Sequence, residues 1–297
     1  MVLIFQKYKL PFESDDFLGD IPSNRIGIDL GQTLTKITYC FEKQLFMYIH
    51  PTENKSAYLK DFLTQNHLDG KKINITGGKG YNFQKALDEK FDFSLFGEFE
   101  ANVKGIEFLY RMKKHKAIPS CLITTIGTGT SMILKKDHYE HIGGTALGGG
   151  FFMALIKILY NIESFNDAIL LAAKGNRFNV DLKVADIYSP EDTRVNALFR
   201  QFTAASLGKI GAPFKSTDYE KEDLLNSLIC LIGENIGTIA IERANLHDIN
   251  DLVFCGGFLN YNKPMQKILS QICLFNKKKA IFLEHSIFAG ALGMLLV

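Results

Sequence analysis

One stretch of the sequence, LITTIGTGTSMILKKDHYEHIGGTALGGG from Leu122 to Gly150, limits the possible folds more than any other. It predicts an apolar strand, a Gly/Thr turn, a second strand, and another glycine-rich turn that opens a helix. Seven of the chain's 25 glycines lie in it, and glycine lets a backbone approach a ligand closely. A helix starting here would aim free N–H groups and its positive dipole end at an anion. The stretch therefore predicts a phosphate site, with two ordinary hairpin turns as the alternative.

Length and composition indicate a protein with two lobes and no bias toward nucleic acid or membranes. The 297 residues, 46% of them hydrophobic, reach the size at which one core usually splits in two. The 34 basic and 32 acidic residues nearly cancel. The five cysteines lack CxxC spacing and indicate buried thiols in a reducing compartment. We see no signal peptide and no apolar run of membrane length, and expect a cytoplasmic protein.

A similar strand–turn–strand pattern lies near the N terminus, in RIGIDLGQTLTKITY from Arg25 to Tyr39. Asp29 ends the first strand, with a glycine turn behind it. A carboxylate there, followed by Thr33 and Lys36, suits a hydrated Mg²⁺ ion and phosphate oxygens. An Asx-turn that only shapes the hairpin is the alternative interpretation.

The two patterns lie about one domain's length apart and indicate an internal duplication of architecture. Two such lobes facing each other would bring both turns to one cleft, on either side of a triphosphate. We expect an N-terminal extension over 1–24, a first lobe over 25–112 and a second over 113–297. The long helix predicted from Lys221 to Asn245 is too apolar for a one-sided helix, so we expect it buried between the lobes or against another subunit.

A predicted helix at GEFEANVKGIEFLYRMKK carries two acidic residues, Glu98 and Glu100, off its apolar stripe. Either carboxylate is free of the core and able to act as a base. Acidic residues in the first turn of a helix also complement the helix dipole. The residues alone leave both roles open.

Eight segments carry a family resemblance from Arg25 to the C terminus. They are IGIDLGQTLTKITY, ITGGKGY, GEFEANVKG, TIGTGTSMIL, GGTALGGGFFMALIKIL, FNDAILLAAKGNRFNVDLKVADIY, LVFCGGFL and FLEHSIFAGALG. In this order the chain resembles the type II, eukaryotic-type pantothenate kinases, of the superfamily of sugar kinases, actin and heat-shock chaperone ATPases. FNVDLKVADIY and FLEHSIFAGALG are the most specific segments, because no general need for phosphate binding produces them. The resemblance implies a two-lobed actin-like ATPase fold of class α/β, with duplicated ribonuclease H-like domains.

The resemblance also implies a reaction, its cofactors and its residues. The reaction is ATP-dependent phosphorylation of pantothenate, the first step toward coenzyme A, with Mg²⁺, in a homodimer built on the helix from Lys221. Glu98 is implied as the catalytic base and Asp29 as the residue that organises Mg²⁺. The implied nucleotide-binding residues are Asp29, Gly31, Gln32, Thr33, Leu34, Thr35, Lys36, Thr128, Gly149, Gly150, Phe165 and Gly257. The implied acceptor-binding residues are Glu98, Thr128, Ser131 and His141.

Two residues depart from the family pattern. Gln32 stands where the family usually has a second glycine. His141 stands where the family carries an arginine that meets the polar end of pantothenate, and histidine has a shorter reach, no bidentate fork and only partial charge at neutral pH. His141 is alternatively a hairpin residue that contacts no ligand.

Two other functions therefore stay open. One is a kinase of the same fold for a sugar or another small alcohol, supported mainly by His141. The other is a non-catalytic nucleotide-binding regulator, against which the joint presence of Asp29, Lys36 and Glu98 argues.

Overall fold

The computed structural model describes residues 6–11, 21–52, 57–68, 70–86, 91–211 and 219–297. Of the predicted N-terminal extension, residues 1–5 and 12–20 lie outside this part. All five cysteines are buried free thiols, as predicted.

The first sheet is built by the N-terminal third of the chain. Its elements are β1 (Gln6–Pro11), β2 (Arg25–Leu30), β3 (Leu34–Phe41), β4 (Gln44–Pro51), α1 (Ala57–Gln65), β5 (Lys72–Thr76), α2 (Gly80–Ala86), β6 (Phe93–Leu95) and α3 (Glu98–Lys114). The strand order is β1-β4-β3-β2-β5-β6. Strands β1 to β4 pair antiparallel, whereas β5 and β6 continue from β2 in parallel.

The second sheet is built by the remainder of the chain. Its elements are β7 (Cys121–Ile126), β8 (Thr130–Lys135), β9 (Tyr139–Thr145), α4 (Gly149–Tyr160), α5 (Phe165–Lys174), β10 (Leu182–Lys183), α6 (Val184–Ile187), β11 (Thr203–Ala205), α7 (Lys221–Leu246), β12 (Asp251–Cys255), α8 (Lys263–Phe275), β13 (Lys279–Phe282) and α9 (Ala289–Leu296). The strand order is β13-β12-β7-β8-β9, and β10 and β11 form a separate two-stranded ribbon.

The two sheets repeat one topology once β1 is set aside. Each has an antiparallel meander of three strands followed by two strands parallel to the first, in the orders β4-β3-β2-β5-β6 and β9-β8-β7-β12-β13. The predicted duplication is confirmed at the level of strand order. Strand β9 was not predicted, because its sequence YEHIGGT is polar and glycine-rich, as suits a mostly exposed edge strand.

Three apolar clusters place the helices in layers. Helix α1 covers the outer face of the first sheet. Helices α3 and α9 lie between the two sheets, and α4, α5, α7 and α8 cover the outer face of the second. The C-terminal helix α9 thus returns to pack on β2. The division into lobes at residues 112 and 113 stays a proposal.

Two glycines allow α3 and α9 to cross in direct backbone contact. A Cβ atom on Gly105 would overlap the carbonyl group of Ala289, and one on Gly293 would overlap that of Ala101. This crossing matters for the site described below, because it fixes α3, whose first residue is Glu98.

Helix α7 is the one helix among the described residues that is long and apolar enough to cross a membrane. Of its apolar window, 67% is buried within the fold. It packs on α5, α8 and the outer face of the second sheet. The expectation that it lies between the lobes is therefore wrong, since α3 and α9 fill that layer.

Candidate active site

The two glycine turns predicted to share a cleft do meet. The β2–β3 turn is closed by a hydrogen bond from the Gly31 amide to the Leu34 carbonyl (3.2 Å), and the β7–β8 turn by one from Gly127 to Gly129 (2.8 Å). Thr33 Oγ1 in the first turn lies 3.3 Å from Thr128 Oγ1 in the second. Both central hairpins therefore end at one place, where Thr33 and Thr128 are exposed.

Asp29 and Lys36 form an ion pair at the base of the first turn. They are directly opposite in the β2–β3 register, and Lys36 Nζ lies 3.0 Å from Asp29 Oδ2, with each side chain 13% exposed. Gly290 of α9 packs against the Asp29 carboxylate, where a Cβ atom would lie 3.1 Å from Cγ. Strand pairing, together with α9, holds this carboxylate in place.

Glu98 begins α3 beside this pair. The loop before it is held by a bond from the Thr76 hydroxyl to the Phe96 carbonyl (3.2 Å) and one from the Phe96 amide to the Ile75 carbonyl (2.9 Å). The Glu98 side chain stays open to the cleft on one side. Surrounding protein raises the pKa of its carboxyl, the Asp29 charge raises that pKa further, and Lys36 partly lowers it. Asp29, Lys36 and Glu98 thus form one electrostatic cluster.

Glu100 is paired with a lysine of its own helix. Its carboxylate lies 3.1 Å from Lys104 Nζ, one turn along α3. The two candidate bases therefore differ in their surroundings: Glu98 lies near Asp29 and Lys36, and Glu100 pairs with Lys104.

The cluster fits a magnesium ion that is shared with a nucleotide. Two carboxylates and one ammonium leave excess negative charge, and the Asp29 charge contributes to the raised pKa of the Glu98 carboxyl. Within the described residues no group of three or more His, Cys, Asp or Glu side chains forms a metal cage. Mg²⁺ needs none, because it usually combines one or two carboxylates with water and phosphate oxygens.

The first two amides of α4 are not free, so that part of the phosphate prediction is wrong. The Gly149 amide donates to the Gly127 carbonyl (2.8 Å), and the Gly150 amide to the Thr128 carbonyl (2.9 Å). These bonds fasten the glycine-rich start of α4 to the β7–β8 turn. Because these two glycines have no Cβ atom, the two backbones approach each other closely. Their amides are not available as donors to a ligand.

Thr35 is a second correction. Alternation along β3 turns its side chain away from Asp29 and Lys36. It is fully buried, and its hydroxyl bonds those of Thr52 (3.0 Å) and Tyr58 (2.9 Å). Its side chain therefore cannot contact a nucleotide in the cleft. Gln32, by contrast, is exposed in the turn beside Thr33.

Phe258 contacts two predicted nucleotide-binding residues that are distant from each other in sequence. It was not itself predicted from the sequence. Its ring centroid lies 6.0 Å from that of Phe165, and its side chain lies close to Gly149. Gly257, just before it, faces Leu34 across the cleft, since a Cβ atom there would lie 3.9 Å from Leu34 Cδ1. The signal was the phenylalanine that follows the double glycine in LVFCGGFL.

Ser131 and His141, which the resemblance implies for acceptor binding, lie on β8 and β9. Ser131 pairs with Gly144 and shares the inward face with Ile133, which belongs to the layer between the sheets. His141 stacks on Phe99, with ring centroids 4.2 Å apart and planes 6° apart. Since Phe99 follows Glu98, this stack brings β9 to the start of α3.

The Fumble family model matches residues 44–297 of this chain. A type II pantothenate kinase from Bacillus cereus is 36% identical over 276 residues, which cover 91% of this chain and 96% of that protein. The chain belongs to the type II pantothenate kinase family. Another family member of the same name, from Oceanobacillus iheyensis, is 29% identical over 272 residues and covers 92% of this chain and 98% of that protein. The resemblance indicated by the motifs is confirmed.

The fold of this chain is similar to the folds of several solved structures. The activator of the 2-hydroxyisocaproyl-CoA dehydratase from Clostridium difficile has a TM-score of 0.60 at 15% identity and covers 92% of each chain. The ROK hexokinase from Thermus thermophilus has a TM-score of 0.51 at 12% identity, covering 91% of this chain and 96% of that one. At these identities the likeness concerns the fold alone, and it confirms the two-lobed actin-like ATPase fold.

Proposed function

We propose that the protein transfers the γ-phosphoryl group of ATP to the primary hydroxyl of pantothenate, giving 4′-phosphopantothenate in the first step of coenzyme A biosynthesis. The observation that carries the proposal is the meeting of Thr33 and Thr128 at one cleft, beside the cluster of Asp29, Lys36 and Glu98. Membership of the type II pantothenate kinase family supports the choice of acceptor.

In this reaction the two adjoining turns both contact the polyphosphate. Phosphoryl transfer depends mostly on positioning and charge neutralisation, which exposed amides, hydroxyls and the Lys36 ammonium supply. Asp29 would hold Mg²⁺ through water and phosphate oxygens, and the ion would neutralise phosphate charge. Glu98 accepts the hydroxyl proton of the acceptor and supplies roughly 10²- to 10⁴-fold of the rate.

The adenosine end of ATP would lie between the start of α4, the start of α5 and the residues after β12. Gly149, Gly150, Phe165 and Gly257 are the residues proposed there, and Phe258 joins their elements. Of these glycines, Gly257 has the most open surroundings, because a Cβ atom there would meet no heavy atom nearer than 3.9 Å, and a flat ring would lie near its backbone.

The acceptor assignment depends on His141. A kinase for another small alcohol is the second candidate, because His141 replaces a family arginine. Coupled ADP measurements with Mg²⁺, ATP and a panel of acceptors, in the parent and in His141→Arg, separate the two. We expect pantothenate to stimulate ADP formation and His141→Arg to lower its KM. Stimulation by another hydroxyl compound, with none by pantothenate, would show that the acceptor assignment is wrong.

We also propose a cytoplasmic homodimer built on α7. The five buried thiols support a reducing compartment. Since most of α7 is covered within one chain, the dimer would use its exposed strip, which contains Asn235, Thr238, Glu242, Asn245 and Leu246.

A further inference from the structure

Stacking on Phe99 orients the side chain of His141. The planes of the two rings are nearly parallel. Their centroids lie 4.2 Å apart, which is a face-to-face stacking distance. Neither ring nitrogen of His141 has a hydrogen-bond partner among the residues that the structure describes. Because both nitrogens lie at the ring edge, a ring stacked through its face keeps them available to a ligand.

The Phe99 ring, on which His141 stacks, is held in place by packing. Phe99 packs on the cluster between the sheets, which contains Ile106 of α3 and Ile133 of β8. Two turns after Phe99, Glu107 Oε1 lies 3.3 Å from Lys135 Nζ of β8. Helix α3 is therefore attached to the β8–β9 hairpin at two points, and the stack is the one adjacent to Glu98.

We propose that Phe99 is a positioning residue, which holds the imidazole of His141 so that its edge meets the carboxylate end of the acceptor while the hydroxyl end lies at Glu98. The inference rests on the proposed function. An arginine reaches a carboxylate with a broad fork, whereas histidine offers one N–H at a time and needs a fixed orientation. The aromatic ring at position 99 supplies that orientation in this chain.

The test is a double-mutant cycle on Phe99→Leu and His141→Ala, measured with pantothenate and with its analogue in which a hydroxymethyl group replaces the carboxylate. We expect each single variant to raise KM for pantothenate by about tenfold, with kcat within about threefold. KM for the neutral analogue should change far less. The double variant should be no worse than His141→Ala, because Phe99 acts through His141.

Controls separate positioning from general damage. Phe99→Tyr keeps the ring and should retain the parent KM. His138→Ala, on the exposed β8–β9 turn, should leave both constants unchanged. Calorimetric ATP affinity reports folding, and Phe99→Met replaces Phe99→Leu if the latter loses it.

Three results would overturn the inference while the parent enzyme remains active: effects that multiply in the double variant, an equal KM increase for the neutral analogue, or no KM change in Phe99→Leu. A parent enzyme that pantothenate does not stimulate overturns the proposed function itself, and the inference with it.

Discussion

Glu98 is the residue whose chemistry depends most on its surroundings. Its carboxyl is partly enclosed and lies near the Asp29 charge, so its pKa is raised. A raised pKa brings a carboxylate closer to the working pH and makes it a better proton acceptor. Glu100, only two residues away, is paired with Lys104.

The raised pKa of Glu98 predicts a shifted acidic limb in the pH profile. The base must be ionised, so kcat/KM for pantothenate should fall as the pH drops through a pKa above the ordinary glutamate value of about 4.3. Initial rates at saturating ATP, from pH 4 to 8, measure this limb. ATP affinity at each pH is the control. A limb at or below the ordinary value would contradict the account.

Single residues were predictable where strand pattern and charge coincide. Asp29 and Lys36 face each other because a tight turn fixes their register, and that turn is visible in DLGQTLTK. The Thr35 side chain does not face the cleft, because alternation along β3 turns it to the opposite face of the sheet, toward Thr52 and Tyr58. The amides of Gly149 and Gly150 were predicted free because a contact with the β7–β8 turn is tertiary and leaves no local pattern.

At the scale of elements, the crossing of α3 and α9 supports the site. Small residues at the crossing let the two backbones touch, and α9 also packs on Asp29 through Gly290. Displacing either helix would move Glu98 relative to Asp29.

Gly293→Ala tests this crossing. Its methyl group would overlap the Ala101 carbonyl, so we expect a loss of about 1–3 kcal/mol in the free energy of unfolding, despite the better helix propensity of alanine. Urea unfolding measures the loss. Gly78→Ala is the matched control, because no heavy atom lies within 4 Å of the added methyl group, and its effect should stay within about 0.5 kcal/mol. Equal stabilities for the two variants would refute the crossing.

Most elements were predictable, and the exceptions have physical causes. Strand β7 lies where the apolar run before the Gly/Thr turn predicts a strand, and α7 ends within one residue of its prediction, because both have strong apolar patterns. Strand β9 was not predicted, because an edge strand needs no apolar face. Yet β9 carries His141, so the weakest pattern held a residue that we propose to bind the acceptor.

At the scale of the whole molecule, contacts tie the two halves together around the cleft. Thr33 meets Thr128 at the turns, and Phe99 meets His141 at the acceptor side. Near the edge of the first sheet, the Tyr8 hydroxyl lies 3.0 Å from that of Tyr261. The duplicated strand order could be anticipated from two similar motifs, whereas the return of α9 to the first sheet could not, since no local pattern specifies it.

The proposed dimer predicts a mass of twice the 33.4 kDa of one chain. Thr238→Arg places like charges on the exposed strip of α7 in both subunits and should produce monomers. Light scattering after size exclusion measures the mass. Gln65→Arg, at the exposed end of α1, should leave it unchanged. A parent protein that elutes as a monomer would refute the dimer.

The central claim is that two turns hold a polyphosphate while Glu98 activates the acceptor. Single-turnover transfer of radiolabelled γ-phosphate from ATP to pantothenate, in the parent and in Glu98→Gln, tests it most directly. We predict rapid transfer by the parent and a rate roughly 10²- to 10⁴-fold lower in Glu98→Gln, with calorimetric ATP affinity retained. Transfer at the parent rate by Glu98→Gln would contradict the account.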